Sequence, residues 1–255
     1  SIHKNYILNY YKEYIKTGMY GILGNKGGIG IGFKMYNISF MFINCHLSYG
    51  FSNVLLRNYD FDYIKKTIHP HLDKFDIIIW MGDFNYRVNK KKEEVENIIK
   101  DRKEMDLLQF DQMNSEIKNY NLKSFGYYEG KINFLPTYKY SDDRSNEILC
   151  DSNEHIPSWT DRILYKINED KFKKIENDEN KEENEENDIC EDIKEENNNE
   201  SDEYEDAREE NFDSYKENRD KIIEATFQLM HYNSMQNIVF SDHKPVYAYF
   251  NVNNR

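Results

Sequence analysis

Uninterrupted apolar runs of strand length punctuate this chain. Residues 76–80 read Asp-Ile-Ile-Ile-Trp, and a β-branched run without polar alternation predicts a strand buried on both faces. Residues 38–45 predict a second buried strand. Residues 51–71 and 91–122 mix apolar and charged positions at helical spacing, which predicts amphipathic helices in an outer layer. Residues 6–15 fit a strand or a helix, and the pattern leaves both open.

Glycines and chain-terminal patterns predict the remaining elements. Residues 24–33 predict a tight turn at 25–28 that leads into a glycine-punctuated strand, where glycine indicates a bend or a close backbone approach. The segment matches neither a P-loop nor a dinucleotide fingerprint. Residues 219–232 favour helix or loop, and residues 238–240 and 247–250 predict a last pair of strands.

Polar side chains stand at one end of each of four predicted strands. Asp83 and Asn85 follow the 76–80 run, and the two-residue period of a strand predicts that they point the same way. Each pair alone is typical of an ordinary strand end, but four together predict a shared site at one edge of the sheets. Carboxylate and amide oxygens beside His and cationic groups favour Mg²⁺-assisted hydrolysis at a phosphate. The four pairs are Asn44 with His46, Asp83 with Asn85, Asp161 with Arg162, and Asp242 with His243.

Charge is distributed unevenly along the 255 residues. The net charge is −13, yet the segment from Glu176 to Glu210 holds 19 acidic and 3 basic residues. The rest carries 31 basic and 28 acidic residues, a net charge of +3, which is low for a nucleic-acid footprint and compatible with an anionic substrate. Residues 169–219 are an acidic low-complexity insert, and about 175–210 are predicted to be disordered because they offer too little apolar surface to bury. One catalytic domain, 1–168 with 220–252, is predicted around it.

The cysteine pattern and hydropathy limit the compartment and the mode of membrane contact. Cys45, Cys150 and Cys190 form neither a disulfide framework nor a zinc motif, which favours a reducing compartment. The sequence contains no apolar run of membrane-spanning length and no secretory signal, so membrane contact is expected to be peripheral. The first residue is Ser1 rather than Met, which suggests a fragment of a longer protein.

Six short motifs resemble those of the inositol polyphosphate 5-phosphatases, a branch of the DNase I-like endonuclease/exonuclease/phosphatase superfamily. The Gly-Asp-x-Asn and Ser-Asp-His words are shared across the superfamily, whereas Trp-x-Gly-Asp-x-Asn-Tyr-Arg and Pro-x-Trp-x-Asp-Arg-Ile-Leu belong to the 5-phosphatase branch. The motifs occur in the family's order over nearly the whole chain outside the insert. They lie at residues 24–28, 44–47, 80–87, 136–139, 157–164 and 241–246.

The resemblance implies an α/β (α+β) fold, a DNase I-like four-layer sandwich in which two mixed β-sheets pack face to face with helices outside. It also implies catalytic roles. Asp83 would position or deprotonate the attacking water, and Asn85 would hold that water or the phosphate. His243 would bind the scissile phosphate and stabilise developing charge, and Asp161 would orient His243. These roles suit in-line attack on a phosphomonoester.

The resemblance further implies binding roles and Mg²⁺ as the cofactor. Asp242 would lie at or beside the metal, and His46 would touch the phosphate. Contacts to the inositol phosphate are expected from Asn25, Lys26, Tyr138, Lys139 and Arg162.

Three departures from the family pattern modify this expectation. The family's metal-binding Glu stands on a strand before the Gly-Asn-Lys-Gly-Gly motif, and Glu13 here lies in no matching motif, so the main ligand is expected upstream of Ser1. Residues 153–155 read Asn-Glu-His where relatives carry basic residues. Residues 47–49 read Leu-Ser-Tyr in place of smaller residues, which is expected to reshape the rim of the pocket.

The leading hypothesis is therefore a Mg²⁺-dependent phosphomonoester hydrolase that removes the 5-phosphate from phosphoinositides or soluble inositol phosphates. The expected location is cytoplasmic, peripheral at cytosolic membrane faces, and no nucleic-acid partner is expected. A metal-dependent endonuclease of the same superfamily is the closest rival, since it shares the Gly-Asp-x-Asn and Ser-Asp-His words. A catalytically inactive phosphoinositide-binding module is the rival from another class.

Overall fold

The computed structural model describes residues 7–72, 74–119, 126–141, 145–150, 152, 155–174 and 225–253. Six strands form one mixed sheet in the order β1-β2-β3-β4-β6-β5, and three form a second in the order β7-β8-β9. The strands are β1 Ile7–Thr17, β2 Leu23–Met35, β3 Ile38–His46, β4 Ile77–Asp83, β5 Tyr128–Glu129, β6 Asp161–Ile167, β7 Phe172–Lys174, β8 Ala225–Ser234 and β9 Val246–Asn253. The helices are α1 Gly18–Gly21, α2 Val54–Leu72, α3 Lys92–Lys100, a 3-10 helix Glu104–Phe110 and α4 Gln112–Asn119. The predicted disordered segment, about 175–210, lies outside the described residues.

The centre of the larger sheet is formed by the two strands that the apolar runs predicted. β4 pairs in parallel with β3 on one side and antiparallel with β6 on the other. The first four residues of β4, from Ile77 to Trp80, are all buried. Burial on both faces explains why this strand shows no alternation of apolar and polar residues. The prediction of a doubly buried strand is confirmed.

The glycine-rich segment is a continuous part of β2, so the predicted turn at 25–28 is wrong. Gly27 pairs with Lys16 on β1 and with His46 on β3. A Cβ atom at Gly27 would lie 1.9 Å from the carbonyl oxygen of Ile15, and one at Gly28 would lie 3.0 Å from Ile64 of α2. The glycines therefore permit close approach of β1 and α2 to this strand, which was the second meaning that the pattern allowed.

The predicted helix over 51–71 is α2, and its buried side packs on the sheet. Ile64 and Ile68 are fully buried and belong to a core cluster that includes Trp80. Phe61 stacks on Trp80 with ring centroids 4.1 Å apart. Because offset aromatic stacking adds to the burial of apolar area, this pair fixes α2 against the centre of the sheet. The helices predicted over 91–122 are also present, as α3, the 3-10 helix and α4.

The C-terminal part of the chain differs from its prediction. Residues 225–234 form strand β8 rather than the helix or loop favoured over 219–232, and residues 238–240 lie outside any strand. From His231 to Ser234 exposed positions alternate with half-buried ones, the period of a strand. The predicted strand over 247–250 is confirmed by β9. Of residues 6–15, for which the pattern allowed a strand or a helix, 7–15 belong to the strand β1, and residue 6 lies outside the described residues.

Contacts divide the chain into two compact units. One comprises Ser1–Asn168 with Met230–Tyr249 and contains the six-stranded sheet; the other comprises Glu169–Leu229 with Phe250–Arg255. Within the second unit, β7 pairs in parallel with the start of β8, and Phe227 packs on Phe250 with ring centroids 5.1 Å apart. In the part of the chain that the structure describes, no helix combines the length and apolar character needed to cross a membrane.

Candidate active site

The register of the larger sheet brings three predicted site residues into one row. His46 is the last residue of β3, Asp83 is the last residue of β4, and the two are paired in register. Asp161 is the first residue of β6 and pairs with Asp83 from the other side. Because β3 and β4 are parallel and β6 is antiparallel to β4, two strand ends and one strand beginning meet at the same edge. The shared edge predicted from the four polar pairs exists for these three strands.

Asp83 and Asn85 lie together, but not for the predicted reason of strand alternation. β4 ends at Asp83, and Asn85 has a positive φ of 58°. The Asn85 backbone N–H donates to Asp83 Oδ1 at 2.9 Å, and Asn85 Nδ2 donates to Asp83 Oδ2 at 3.1 Å. The two residues are therefore held together by a turn that the Asp83 carboxylate stabilises, as Asp and Asn side chains commonly do. Nδ2 also donates to the carbonyl oxygen of Leu47 at 3.0 Å.

Gly82 makes this turn possible. Its φ is +127°, and a Cβ atom there would lie 2.1 Å from the carbonyl oxygen of Cys45 on the neighbouring strand. Only glycine fits both the conformation and the contact. The Asp83 carboxylate therefore lies at the end of the strand rather than within the sheet.

His243 and Asp161 form a hydrogen-bonded pair. His243 Nδ1 lies 2.9 Å from Asp161 Oδ2, and the Thr137 and Thr160 hydroxyls donate to the same oxygen at 2.8 and 2.9 Å. Burial lowers the pKa of His243, but the hydrogen bond and charge of Asp161, with the charges of Asp83 and Asp242, raise it above the ordinary 6.5. The surroundings of His243 therefore favour the imidazolium form relative to a free histidine.

Two backbone contacts with the segment after Pro136 hold His243 in place. Tyr138 forms a bridge with His243, and Lys244 N donates to the carbonyl oxygen of Thr137 at 2.7 Å. The Tyr138 ring also packs on the imidazole with centroids 4.7 Å apart. The segment that follows Pro136 therefore carries the His243 loop, which explains how two distant motifs meet.

Lys26 and His46 extend the row toward β2. His46 Nε2 lies 3.3 Å from Asp83 Oδ2 and is also hydrogen-bonded to Lys26 Nζ. Partial burial and the charge of Arg87 lower the pKa of Lys26, and the charge of Asp83 opposes that shift. The ammonium group thus stands beside a carboxylate in a partly desolvated site, where an added anion is stabilised.

These groups line a cavity of about 540 Å³. A cavity of about 580 Å³ beside Leu108 and Leu164 is slightly larger, but its Glu129 carboxylate is engaged in a buried ion pair. The smaller cavity gathers the reactive groups and is the candidate active site. Its lining residues are Lys26, His46, Tyr49, Gly50, Asp83, Asn85, Arg87, Tyr138, His155, Asp242 and His243.

Seven of the predicted site residues line this cavity, and Asp161 stands directly behind His243. Asn25 borders a different cleft, next to β1, and Lys139 is not among the lining residues of either. Neither placement supports the predicted inositol-phosphate contact of these two residues. The seven are Lys26, His46, Asp83, Asn85, Tyr138, Asp242 and His243.

Arg162 corrects one prediction. Its guanidinium is completely buried and bonds Glu129 through Nε and Nη2, each at 2.6 Å, and Asp111 through Nη1 at 2.9 Å. Burial raises the pKa of Asp111, and the Arg162 charge opposes that shift. Asp111 and Glu129 neutralise the charge of Arg162 in the interior. Arg162 is therefore a structural cation and not a substrate contact.

Replacing Arg162 by Met is expected to lower the free energy of unfolding by about 3 kcal/mol or more. The change leaves two buried carboxylates without their cation, which costs more than the pair itself contributes. Urea denaturation measures the loss. Lys100→Met, at the exposed end of α3, is the control and is expected to stay within about 0.5 kcal/mol of the parent. A loss below about 1 kcal/mol for the Arg162 variant would contradict the structural role.

Four lining residues carried no role in the sequence-based prediction: Tyr49, Gly50, Arg87 and His155. Arg87 belongs to the Asn-Tyr-Arg word, so the motif itself was the available signal. Tyr49 was noted only as a departure from the family pattern. His155 lies with its ring 6.4 Å from that of Tyr138, and no periodicity in the sequence marks it.

The rim loop at Tyr49 and Gly50 is held from below by α2. Arg57 Nη1 donates to the carbonyl oxygen of Gly50 at 2.6 Å. Asp60 Oδ2 accepts from the backbone and hydroxyl of Ser48 at 2.9 and 2.6 Å. These buried charged contacts fix one side of the cavity before any ligand enters.

The metal predicted for this site has an incomplete set of ligands in the described residues. No group of three or more His, Cys, Asp or Glu side chains converges there in a way that could hold a metal ion. Asp242 lines the cavity and supplies one carboxylate. Divalent cations such as Mg²⁺ bind carboxylate oxygen, and of the two carboxylates that line the cavity, Asp83 is already bonded to Asn85. The described residues therefore supply only part of a metal site.

The fold is shared with a solved phosphatase domain. The inositol polyphosphate 5-phosphatase domain of a synaptojanin, crystallised with inositol (1,4)-bisphosphate and a calcium ion, superposes with a TM-score of 0.63. The two are 24% identical, and the match covers 98% of this chain and 56% of that one. This likeness confirms the DNase I-like α/β fold with two sheets.

The family follows from the sequence itself. The family described as Endonuclease/Exonuclease/phosphatase family 2 matches residues 1–185, and the chain belongs to it. It is 36% identical over 168 residues to a synaptojanin of Caenorhabditis elegans, covering 63% of this chain and 15% of that protein. It is 37% identical over 171 residues to phosphatidylinositol 3,4,5-trisphosphate 5-phosphatase 1 of Xenopus laevis, covering 60% of this chain and 17% of that protein. The chain thus spans less than a fifth of the length of either relative.

Proposed function

We propose that this chain is the catalytic region of a phosphomonoester hydrolase that removes the 5-phosphate from phosphoinositides or inositol polyphosphates. One observation carries the proposal. The Asp83–Asn85 pair and the Asp161–His243 pair face one cavity, together with the cation Lys26. A carboxylate can orient the attacking water, and a cationic imidazole can bind the phosphate. Together they are the groups that hydrolysis of a phosphate ester requires.

The names of the relatives support the substrate class. One match is a phosphatidylinositol 3,4,5-trisphosphate 5-phosphatase, and the solved domain with the shared fold holds an inositol bisphosphate. An endonuclease of the same family is the rival, because a fold can host several reactions. The substrate class therefore rests on relatives, and the reaction type rests on the geometry of this site.

Asp83 is the proposed partner of the attacking water. Its two oxygens accept from the backbone and side chain of Asn85, which fixes the plane of the carboxylate. A fixed carboxylate holds a water by hydrogen bonding and takes a proton from it as the oxygen–phosphorus bond forms. As that bond forms, the bond between phosphorus and the inositol oxygen breaks, and the inositol takes up a proton from solvent and leaves as an alcohol. The cavity then has to stabilise the negative charge of the inorganic phosphate.

His243 is the proposed binder of the scissile phosphate. Its Nδ1 is engaged with Asp161, so Nε2–H is the donor left for an oxygen of the phosphate. The raised pKa favours the protonated ring, and a cation there stabilises charge that grows in the transition state. Lys26 and His46 line the same cavity and provide further donors, and Tyr138 lines it as well.

Mg²⁺ is the metal we propose for the intact protein, with Asp242 as one ligand. The support is chemical: no described residue donates a hydrogen bond to the Asp242 carboxylate, although it lines the cavity. When bound, Mg²⁺ would polarise a phosphate oxygen. We also propose that the protein acts as a peripheral protein at cytosolic membrane faces, where phosphoinositide headgroups present such phosphates.

The test compares substrates with the full-length protein. Phosphate release is measured from vesicles containing phosphatidylinositol 4,5-bisphosphate and from soluble inositol 1,4,5-trisphosphate, with Mg²⁺ and with EDTA. Nicking of supercoiled DNA is measured in parallel. The proposal predicts Mg²⁺-dependent phosphate release and no nicking. The ratio of the turnover rate on lipid vesicles to the turnover rate on the soluble inositol phosphate shows which of the two the protein prefers.

Two outcomes would overturn the proposal. Nicking of DNA without phosphate release would identify the endonuclease. Binding to phosphoinositide vesicles without any turnover, in the presence of Mg²⁺, would identify a binding module instead of an enzyme.

A further inference from the structure

Arg87 is a buried cation at the floor of the candidate active site. It is 5% exposed, yet it lines the cavity. Its backbone is fixed on both sides by Gln112: Arg87 N donates to Gln112 Oε1 at 2.9 Å, and Gln112 N donates to the Arg87 carbonyl oxygen at 2.8 Å. Gln112 therefore holds the backbone of Arg87 in place beside the cavity.

The guanidinium contacts one neighbour of Asp83 and one neighbour of His243. Arg87 Nη2 donates to Asn85 Oδ1 at 2.7 Å, and the guanidinium carbon lies 4.5 Å from the centroid of the Tyr138 ring. Asn85 contacts Asp83, and Tyr138 packs on His243. Arg87 forms no hydrogen bond with Asp83 or His243, so its direct contacts with the proposed catalytic groups run through Asn85 and Tyr138.

The carboxamide of Asn85 has one orientation that satisfies all its neighbours. Its nitrogen donates to two acceptors, Asp83 Oδ2 and the Leu47 carbonyl oxygen, and its oxygen accepts from Arg87. A flipped amide would place oxygen against two acceptors and nitrogen against a cation. Because the two ends of a carboxamide have nearly the same shape, only such neighbours select between them.

Arg87 is costly to bury in this arrangement. Among the residues that the structure describes, its Nε and Nη1 atoms are buried and have no hydrogen-bond partner. Buried donors without partners are rare in folded proteins, and a buried cation is rarer. A group that forms one hydrogen bond and leaves two donors unmet is poorly explained by stability alone.

From these contacts we infer that Arg87 is a positioning residue, which locks the Asn85 carboxamide and through it the plane of the Asp83 carboxylate. The inference deepens the proposed function, on which its kinetic test rests. Lys cannot replace Arg here, because an ammonium lacks the planar fork that bonds Asn85 while stacking on Tyr138.

Kinetics of Arg87→Met and Arg87→Lys in the full-length protein test the inference. Phosphate release should fall about 10- to 100-fold in kcat for Met, the size of one lost charge-assisted hydrogen bond, with KM changed less than about threefold. Lys should recover little of the loss. Arg102→Met, at an exposed arginine after α3, is the matched control and should match the parent.

A double-mutant cycle separates positioning from simple loss of structure. If Arg87 acts through Asn85, adding Arg87→Met to Asn85→Ala should lower kcat by less than about threefold, because the side chain it positions is already gone. A merely structural role would give the same fold-loss in both backgrounds. Equal losses, or an Arg87→Met variant as active as the parent, would overturn the inference.

The side-chain amide of Asn85 gives a readout that does not depend on turnover. In the parent, NMR should show its two Nδ2 protons protected from exchange with solvent, and Arg87→Met should speed that exchange by about tenfold or more. Unchanged exchange would overturn the inference even in an active enzyme. If no protein releases phosphate, the proposed function fails, and the exchange result still decides whether Arg87 holds Asn85.

Discussion

Replacing Asp83 by Asn is expected to lower kcat for phosphate release by about 10³-fold, within the range for loss of a positioned general base. The substitution keeps the size of the side chain and the acceptor for the Asn85 backbone N–H. It removes the negative charge that orients the attacking water and takes up its proton. Because that charge also repels the phosphate of the substrate, KM should stay within about threefold or fall.

Steady-state kinetics on phosphatidylinositol 4,5-bisphosphate vesicles measure the effect. Asp62→Asn, on the exposed face of α2, is the control for removal of one acidic charge. It should match the parent in kcat. A kcat for Asp83→Asn within about threefold of the parent would remove Asp83 from its assigned role.

The second large effect is expected from Asp161→Asn, through the ionisation of His243. Burial alone lowers the pKa of this histidine, and Asp161 is the main group that raises it. Without the carboxylate, the pKa of His243 should fall, because only the charges of Asp83 and Asp242 then oppose the effect of burial. Activity that needs the imidazolium should then fall about 100-fold near pH 7.5, and the basic limb of the kcat/KM profile should move to lower pH.

Stability gives this prediction a second readout with a defined sign. A histidine whose folded pKa is raised stabilises the fold below its unfolded pKa, near 6.5, and the contribution disappears as pH rises through the folded pKa. The loss of Tm caused by Asp161→Asn should therefore be larger at pH 6 than at pH 9. An unshifted basic limb, or a loss of Tm that grows with pH, would contradict the assigned role of the pair.

The central strands could be predicted from the sequence because their burial leaves a direct signature. The run from Ile77 to Trp80 is apolar at every position, because a strand packed on both faces has no solvent-facing position for a polar side chain. The motifs also contain the Asp83–Asn85 and Asp161–His243 pairs, which the structure brings to one cavity. The register that aligns His46, Asp83 and Asp161 follows from strand directions that the sequence pattern alone did not specify.

Other features depended on tertiary partners that lie far away in the sequence. Arg162 was predicted to contact substrate, yet its partners Asp111 and Glu129 are 51 and 33 residues distant and neutralise it in the interior. Nothing in the local pattern distinguishes such a structural cation from a ligand-binding one. The same limit applied to β8, which is a strand because it pairs with β7, although its own residues favour no single structure.

Asn85 shows a correct prediction reached through the wrong geometry. The alternation of a strand was expected to align it with Asp83, but the strand ends at Asp83 and a left-handed residue turns the amide back. Gly82 permits that turn through its own positive φ and its contact with the neighbouring strand. The contact between Asp83 and Asn85 thus depends on a turn whose dihedral angles an apolar pattern does not encode.

The position of the phosphate that is removed tests the central claim most directly. The full-length protein is incubated with phosphatidylinositol 4,5-bisphosphate and Mg²⁺, and the lipid product is identified by chromatography against both monophosphate isomers. A 5-phosphatase predicts phosphatidylinositol 4-phosphate from the parent and at most a trace from Asp83→Asn. Formation of phosphatidylinositol 5-phosphate, or equal product from both proteins, would contradict it.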